Sequence, residues 1–164
     1  MSTIPVAPSG AARGECAREA VDLQRTYTAR GLLGTAIVRR LASRAHPLPE
    51  AVDDVFNELI RCVRQDQLAA TDSLDLDVQD ELARAAEMPR IEAMFVRLTL
   101  QLRLFVPLMG LHYKYPVDGI LSDDTRILDA IRAHDPDAAV AAWRSKTDNC
   151  ARYMMQHLDE RPRR

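Results

Sequence analysis

Along most of this chain apolar residues return at every third or fourth position, and no stretch alternates apolar and polar residues as a strand does. That spacing places apolar side chains on one face of a helix. Leu33, Ile37 and Leu41 form a stripe within residues 24–45, after a weaker helical stretch over 15–23. Val52, Val55, Phe56, Leu59, Ile60 and Val63 form a second, with Pro49 suited to its first turn. Val78, Leu82, Ala85 and Ala86 mark a third helix, expected to be capped by Thr71 or Asp72, with acids of its first turn favouring the dipole. Ile91, Phe95, Leu98, Leu102 and Phe105 mark a fourth, and Val96, Leu100 and Leu104 cover its opposite side. A helix apolar nearly all round is expected to lie among other helices. Pro107 and Gly110 should kink or end it. Ile127, Leu128 and Ile131 define a fifth helix over about 123–133. The sixth runs from Pro136 to about Leu158, with Asp135 as its cap, and buries Val140, Trp143, Thr147, Cys150, Met154 and Leu158. The pattern predicts an all-α fold, a single antiparallel bundle of about six helices centred on residues 74–105. A flexible segment over 1–24 precedes a helical domain over 25–160.

Four polar residues break the apolar faces. Asp75 and Gln79 lie close to the inner face of the third helix, Asp124 shares a side with Leu128 and Ile131, and Lys146 borders the Trp143–Thr147–Cys150 stripe. An inward polar group left unpaired costs roughly 1–3 kcal/mol, so the four point to a polar centre in the bundle. Three readings of it stay open: a structural ion cluster, a ligand pocket, or a site for a hard cation. A lysine ammonium beside the carboxylates argues against the last, and zinc lacks imidazole or thiolate ligands. Cys150 sits one turn past Lys146, and Arg97 and Arg103 are candidates to meet a ligand carboxylate. His46, His112, His134 and His157 are scattered, and Tyr113-Lys114-Tyr115 reads as a loop.

Composition narrows the classes. A net charge of −2 and a pI near 6.1 give no basic footprint for nucleic acid, and the Arg161–Arg164 tail is short. No apolar run approaches the ~18 residues of a membrane span, and the first ten residues lack the core of a signal peptide. Cys16, Cys62 and Cys150 have neither metal nor redox spacing. Together these predict a reduced, cytoplasmic protein with no cofactor, no membrane and no direct nucleic-acid partner.

Several segments carry a family likeness. The corner LARAAEMPRI followed by RLTLQLRLF, the earlier ARGLLGTAIVRRLASR and the later RILDAIRAHDPDAAVAAW stand in the order and spacing that resemble the FCD domain. That is the effector-binding domain of GntR-type transcription regulators of the FadR subfamily. Arg30 and Leu41-Ala42 match its first helix, while Gly34 stands where glutamate is usual. The resemblance implies a helical ligand-binding bundle that commonly pairs into a homodimer. The family's winged helix-turn-helix has no room in the two dozen residues ahead of the likeness, so DNA recognition is expected from elsewhere. Many FCD domains bind a divalent metal through one aspartate and three histidines; the aligned positions here are Asp75, Gln79, Asp124 and Lys146. No histidine remains, and a metal is not expected.

Three functions follow from these residues. The first is a ligand-binding bundle for a small polar or carboxylate metabolite, held by Asp75, Gln79, Asp124, Lys146, Arg103 and Cys150. The second is an enzyme of specialised metabolism using the altered pocket, with a carboxylate pair beside an amine as its acid–base set. The third is a helical dimerisation partner without a ligand.

Overall fold

The computed structural model describes the backbone of residues 10–108 and 117–159, with side chains over most of those spans. It contains α1 (Gly10–Ala42), α2 (Glu50–Arg64), α3 (Leu68–Ala85), α4 (Pro89–Leu108), α5 (Val117–Arg132) and α6 (Pro136–Asp159), and no strand among the described residues. The all-α bundle of six helices expected from the pattern is the fold. His112, the Tyr113-Lys114-Tyr115 segment, Gly110, residues 1–9 and the Arg161–Arg164 tail lie outside the described residues, as do the side chains of Cys16 and Leu158.

α1 is one unbroken helix, where the sequence suggested two stretches. The reason is a stripe stepping by four and three: Leu23, Tyr27, Arg30, Gly34, Ile37 and Leu41 all face inward. Leu33 is only partly buried, so the stripe passes through Gly34 beside it. α1 runs antiparallel to α6, pairing Gly34 with Trp143 and Gly31 with Thr147, with Leu23 and Met154 in one cluster further along. This is the most extensive helix–helix interface of the bundle. It depends on glycine: a Cβ on Gly34 would lie 2.0 Å from Trp143 Cε2. The indole also donates to the Gly31 carbonyl at 3.2 Å.

Two expectations are corrected. α3 begins at Leu68, ahead of Thr71, and its first turn holds no acid. Thr71 is fully buried within the helix, its hydroxyl bonded to the Gln67 carbonyl at 3.0 Å, so neither it nor Asp72 caps. α4 is not enclosed. It packs mainly on α1 and α3, touching α6 through Phe95 and Leu102, and buries Phe95, Thr99 and Leu102, while Met94, Leu100, Leu104 and Phe105 are exposed. An apolar outer face hides amphipathicity and made the helix read as central. α4 also runs one residue past Pro107.

The corners are tight. Asp66, Glu87 and His134 follow α2, α3 and α5 with φ of 55°, 53° and 54°, the left-handed conformation that reverses a helix end. Arg44 braces the second corner by donating to the Ala85 carbonyl at 2.8 Å and pairing with Glu87. α5 starts at Val117, earlier than its apolar stripe indicates. At α6 the expected cap is present: Asp135 Oδ1 accepts from the backbone N–H of Asp137 (3.1 Å) and Ala138 (2.9 Å).

Candidate functional site

The four polar residues singled out on inward faces converge. Asp75 and Gln79 stand one turn apart on α3, Asp124 comes from α5 and Lys146 from α6, and all four are buried. Lys146 Nζ bridges the carboxyls by donating to Asp75 Oδ1 and Asp124 Oδ1. Gln79 Nε2 donates to Asp75 Oδ1 at 3.0 Å. Its own Oε1 accepts from Arg30 Nη2 at 2.6 Å. Arg30, 2% exposed, stacks over the Phe95 ring at 4.2 Å and donates through Nη1 to Thr99 Oγ1. Thr99 passes the chain on by donating to Asp80 Oδ1 at 2.7 Å. One hydrogen-bonded network thus joins α5, α6, α3, α1 and α4.

Arg103 ends up at the outer rim. It pairs with Asp77 at 2.6 Å, lies 3.8 Å from Asp80 Oδ2 and bonds Ser73 Oγ at 2.9 Å, away from Asp75 and Lys146. Cys150 is buried on α6 and faces the cavity described below. Arg97 lines a separate open groove of about 560 Å³ at the α3–α4 corner, with Arg84, Pro89, Glu92, Val96 and Leu100. His157 stacks on Tyr153 at 4.1 Å near the end of α6.

Burial sets the charges. It pushes the Asp124 carboxyl up, the neighbouring Asp75 adds to this and Lys146 opposes it, leaving Asp124 well above the usual carboxylate range. Burial also pushes Asp75 up, but Lys146 and the hydrogen bonds it accepts outweigh that and hold it below its ordinary value. For Lys146, burial would favour the neutral amine, yet the two carboxyls outweigh it and keep the ammonium. The two acids therefore shift in opposite directions, Asp75 down and Asp124 up. Asp124 Oδ2 is buried without a hydrogen-bond partner.

Asp72, half-buried one turn before Asp75, is pushed up to about 7 by burial and by the Asp75 charge. Its folded value exceeds the unfolded one near 3.8, so the native state binds the extra proton, and stability falls as pH rises between these values. Asp72→Asn is expected to raise stability at pH 8 by about 1–2 kcal/mol, solvent screening reducing the full linkage effect at this half-exposed site. The gain should vanish below pH 4, as urea denaturation at both pH values would show.

Beside the cluster lies a small, partly open cavity of about 20 Å³ between α1, α3, α4 and α6. Its polar lining comes from Tyr27, Arg30, Gln79, Lys146 and Thr147, its apolar lining from Leu76, Leu102, Trp143 and the Cys150 side. Asp75 and Asp124 sit behind Lys146, out of the lining. Burial lifts the Tyr27 phenol well above 10, so its hydroxyl stays a donor. The cavity has space for about one water.

The residues do not fit a divalent cation. The position between the two carboxylates is taken by the Lys146 ammonium, and no group of three or more His, Cys, Asp or Glu side chains converges among the described residues. The two carboxyls hold Lys146 as an ammonium, so in an acid–base reading it would not be the base.

Sequence reasoning named Arg30 only through the family likeness and passed over Thr99 and Tyr27. A signal for two of them was there: Tyr27 and Arg30 sit on the same four–three stripe as Gly34, Ile37 and Leu41.

In comparison with known proteins, residues 25–160 match the family described as FCD domain. No curated protein and no solved structure matches the chain.

Proposed function

Since the chain belongs to the FCD domain family, we propose that it is an effector-binding bundle of the kind carried by GntR-type regulators, taking a small organic molecule at the cavity beside Arg30, Gln79 and Lys146. One observation carries this reading: the buried side chains of Arg30, Gln79 and Lys146, from three helices, line one small space that neither Asp75 nor Asp124 lines. A purely structural ion cluster needs no such space. Of the residues proposed to meet the ligand, Gln79, Lys146 and Cys150 line the cavity, whereas Asp75 and Asp124 act by fixing the Lys146 ammonium. DNA recognition is assigned to another domain or chain, in keeping with the net charge of −2. The setting is the cytoplasm; no described helix is long and apolar enough to cross a membrane.

Native mass spectrometry of protein purified from cells tests the reading. A small-molecule adduct is expected, lost in Gln79→Leu, and the same compound should raise the melting temperature of the unloaded protein. Absence of any adduct, together with no stabilisation by a broad set of metabolites, rejects it.

The second copy is proposed to pair through α4. Four of the exposed large apolar side chains, Met94, Leu100, Leu104 and Phe105, lie on this one helix, which has neighbours on one side only. Contiguous apolar patches of several hundred Å² generally mark an interface. Light scattering at micromolar concentration is expected to give a dimer mass, and Leu104→Glu a monomer. A dimer unaffected by that change would move the interface elsewhere.

A further inference from the structure

The two buried cysteines of the bundle have unlike surroundings. Cys62, 1% exposed, donates its thiol to Gln67 Oε1 at 3.3 Å and lines neither the cavity nor the α3–α4 groove. Cys150, 4% exposed, lines the cavity together with Tyr27, Arg30, Lys146 and Thr147. Lys146 precedes it by one turn of α6, so ammonium and thiol share a helix face. Lys146 gives two of its three N–H groups to Asp75 and Asp124, and its side chain lines the cavity. The Tyr27 hydroxyl is an independent sign of a site. Tyr27 is 6% exposed and lines the cavity, and its hydroxyl has no hydrogen-bond partner among the described residues.

These groups also sense one another electrostatically. Burial leads the rise of the Tyr27 phenol, and the charge of Cys150 adds to it. For Lys146, burial opposes the ammonium, while Asp124, Asp75 and then Cys150 favour it. The attraction is mutual, so the ammonium favours the Cys150 thiolate, the reactive form of a cysteine.

We infer that Cys150 is a modification site, oxidised to the sulfenic acid by hydrogen peroxide admitted to this cavity. A space of about 20 Å³ takes one water or a molecule little larger, which suits hydrogen peroxide and shuts out hydroperoxides with bulky organic groups. The sulfur attacks one peroxide oxygen, an S–O bond forms and the O–O bond breaks. The departing hydroxide takes the proton lost by the thiol and leaves as water, while sulfur keeps the other hydroxyl. Sulfur is oxidised by two electrons and the peroxide reduced by two. Lys146 and the Tyr27 hydroxyl meet the negative charge, first on sulfur and then on the departing oxygen. The added oxygen fills the space, so on the effector reading above the oxidised protein no longer takes its ligand.

The test exposes the full chain to hydrogen peroxide and, separately, to cumene hydroperoxide, with each rate taken relative to free cysteine. Samples are desalted rapidly and unfolded in urea containing dimedone, which traps sulfenic acids, then mapped by peptide mass spectrometry. With hydrogen peroxide, Cys150 is expected to react at least tenfold faster than Cys62. Its relative rate with cumene hydroperoxide should be at least tenfold lower. Tyr27→Phe removes the unpartnered hydroxyl and should slow Cys150 at least threefold; if it does not fold, the two wild-type comparisons decide. Equal relative rates for the two oxidants would mean that the thiol reacts through local unfolding, and would overturn the cavity route. Cys62 reacting as fast as Cys150, or oxidation confined to Met154 and Met155, overturns the inference. The adduct lost in Gln79→Leu is measured without oxidant, so the effector reading stands or falls separately.

Discussion

Lys146→Ala is expected to destabilise the fold by about 3–5 kcal/mol at pH 7, the scale for removing one partner of a buried ion pair. Nζ is the donor that reaches both Asp75 and Asp124, and each of the three residues is at most 3% exposed. Without it, two carboxyls face one another with no cation between them, and at least one must stay protonated. Its folded pKa then lies above the unfolded value, so the native state binds the extra proton. The penalty is therefore small below about pH 4, the carboxylate range, and grows as pH rises toward the shifted value. Urea denaturation from pH 4 to 8 measures this. A pH-independent loss of under about 1 kcal/mol would mean that the cluster is not held by Lys146. Lys146→Met tests the same charge with less lost volume and should show the same pH profile.

Gly34→Ala is the second large effect. In an exposed helix this change would stabilise by up to about 1 kcal/mol. Here the added methyl would lie 2.0–2.3 Å from three atoms of the Trp143 ring. The ring is 3% exposed, contacts Phe95 at a centroid distance of 5.8 Å and is tied to the Gly31 carbonyl. It has little freedom to retreat, so α1 and α6 must separate. The expected loss is about 3 kcal/mol, at the upper end for overpacked cores. Gly31→Ala is the control, since its methyl would meet only Thr147 Cγ2 at 3.5 Å, an ordinary contact. The double variant Gly34→Ala with Trp143→Leu should recover part of the loss. Equal melting temperatures for Gly34→Ala and the parent would refute the tight crossing.

The legible parts of this protein were those where one face is apolar and the other polar. α2 shows this, with Val52, Phe56 and Leu59 buried as expected, and so does α6 with its Asp135 cap. Asp75, Gln79, Asp124 and Lys146 stood out for the opposite reason, as polar residues at inward phases. α4 was misjudged because Leu100 and Leu104 face solvent, and an apolar outer face erases the contrast on which the reading depends. Thr99 went unnoticed at the centre of its inner face for the same reason. Arg30 was hidden by habit: arginine is almost never fully buried unless paired. Its partners come from helices about fifty and seventy residues away, which local spacing does not reveal.

The α1–α6 crossing also governs how the chain is made. The bond between Trp143 and Gly31 spans 112 residues. At roughly 5–20 residues per second, α6 leaves the ribosome on the order of ten seconds after α1. Throughout that interval Leu23, Tyr27, Ile37 and Val38 have no finished surface to cover them, and the guanidinium of Arg30 waits in water for partners on α3 and α4. Synthesis therefore passes through a long sticky interval that closes only when the last helix docks. A chaperone that holds exposed apolar helices would find its binding site on α1, and would lose it when α6 docks.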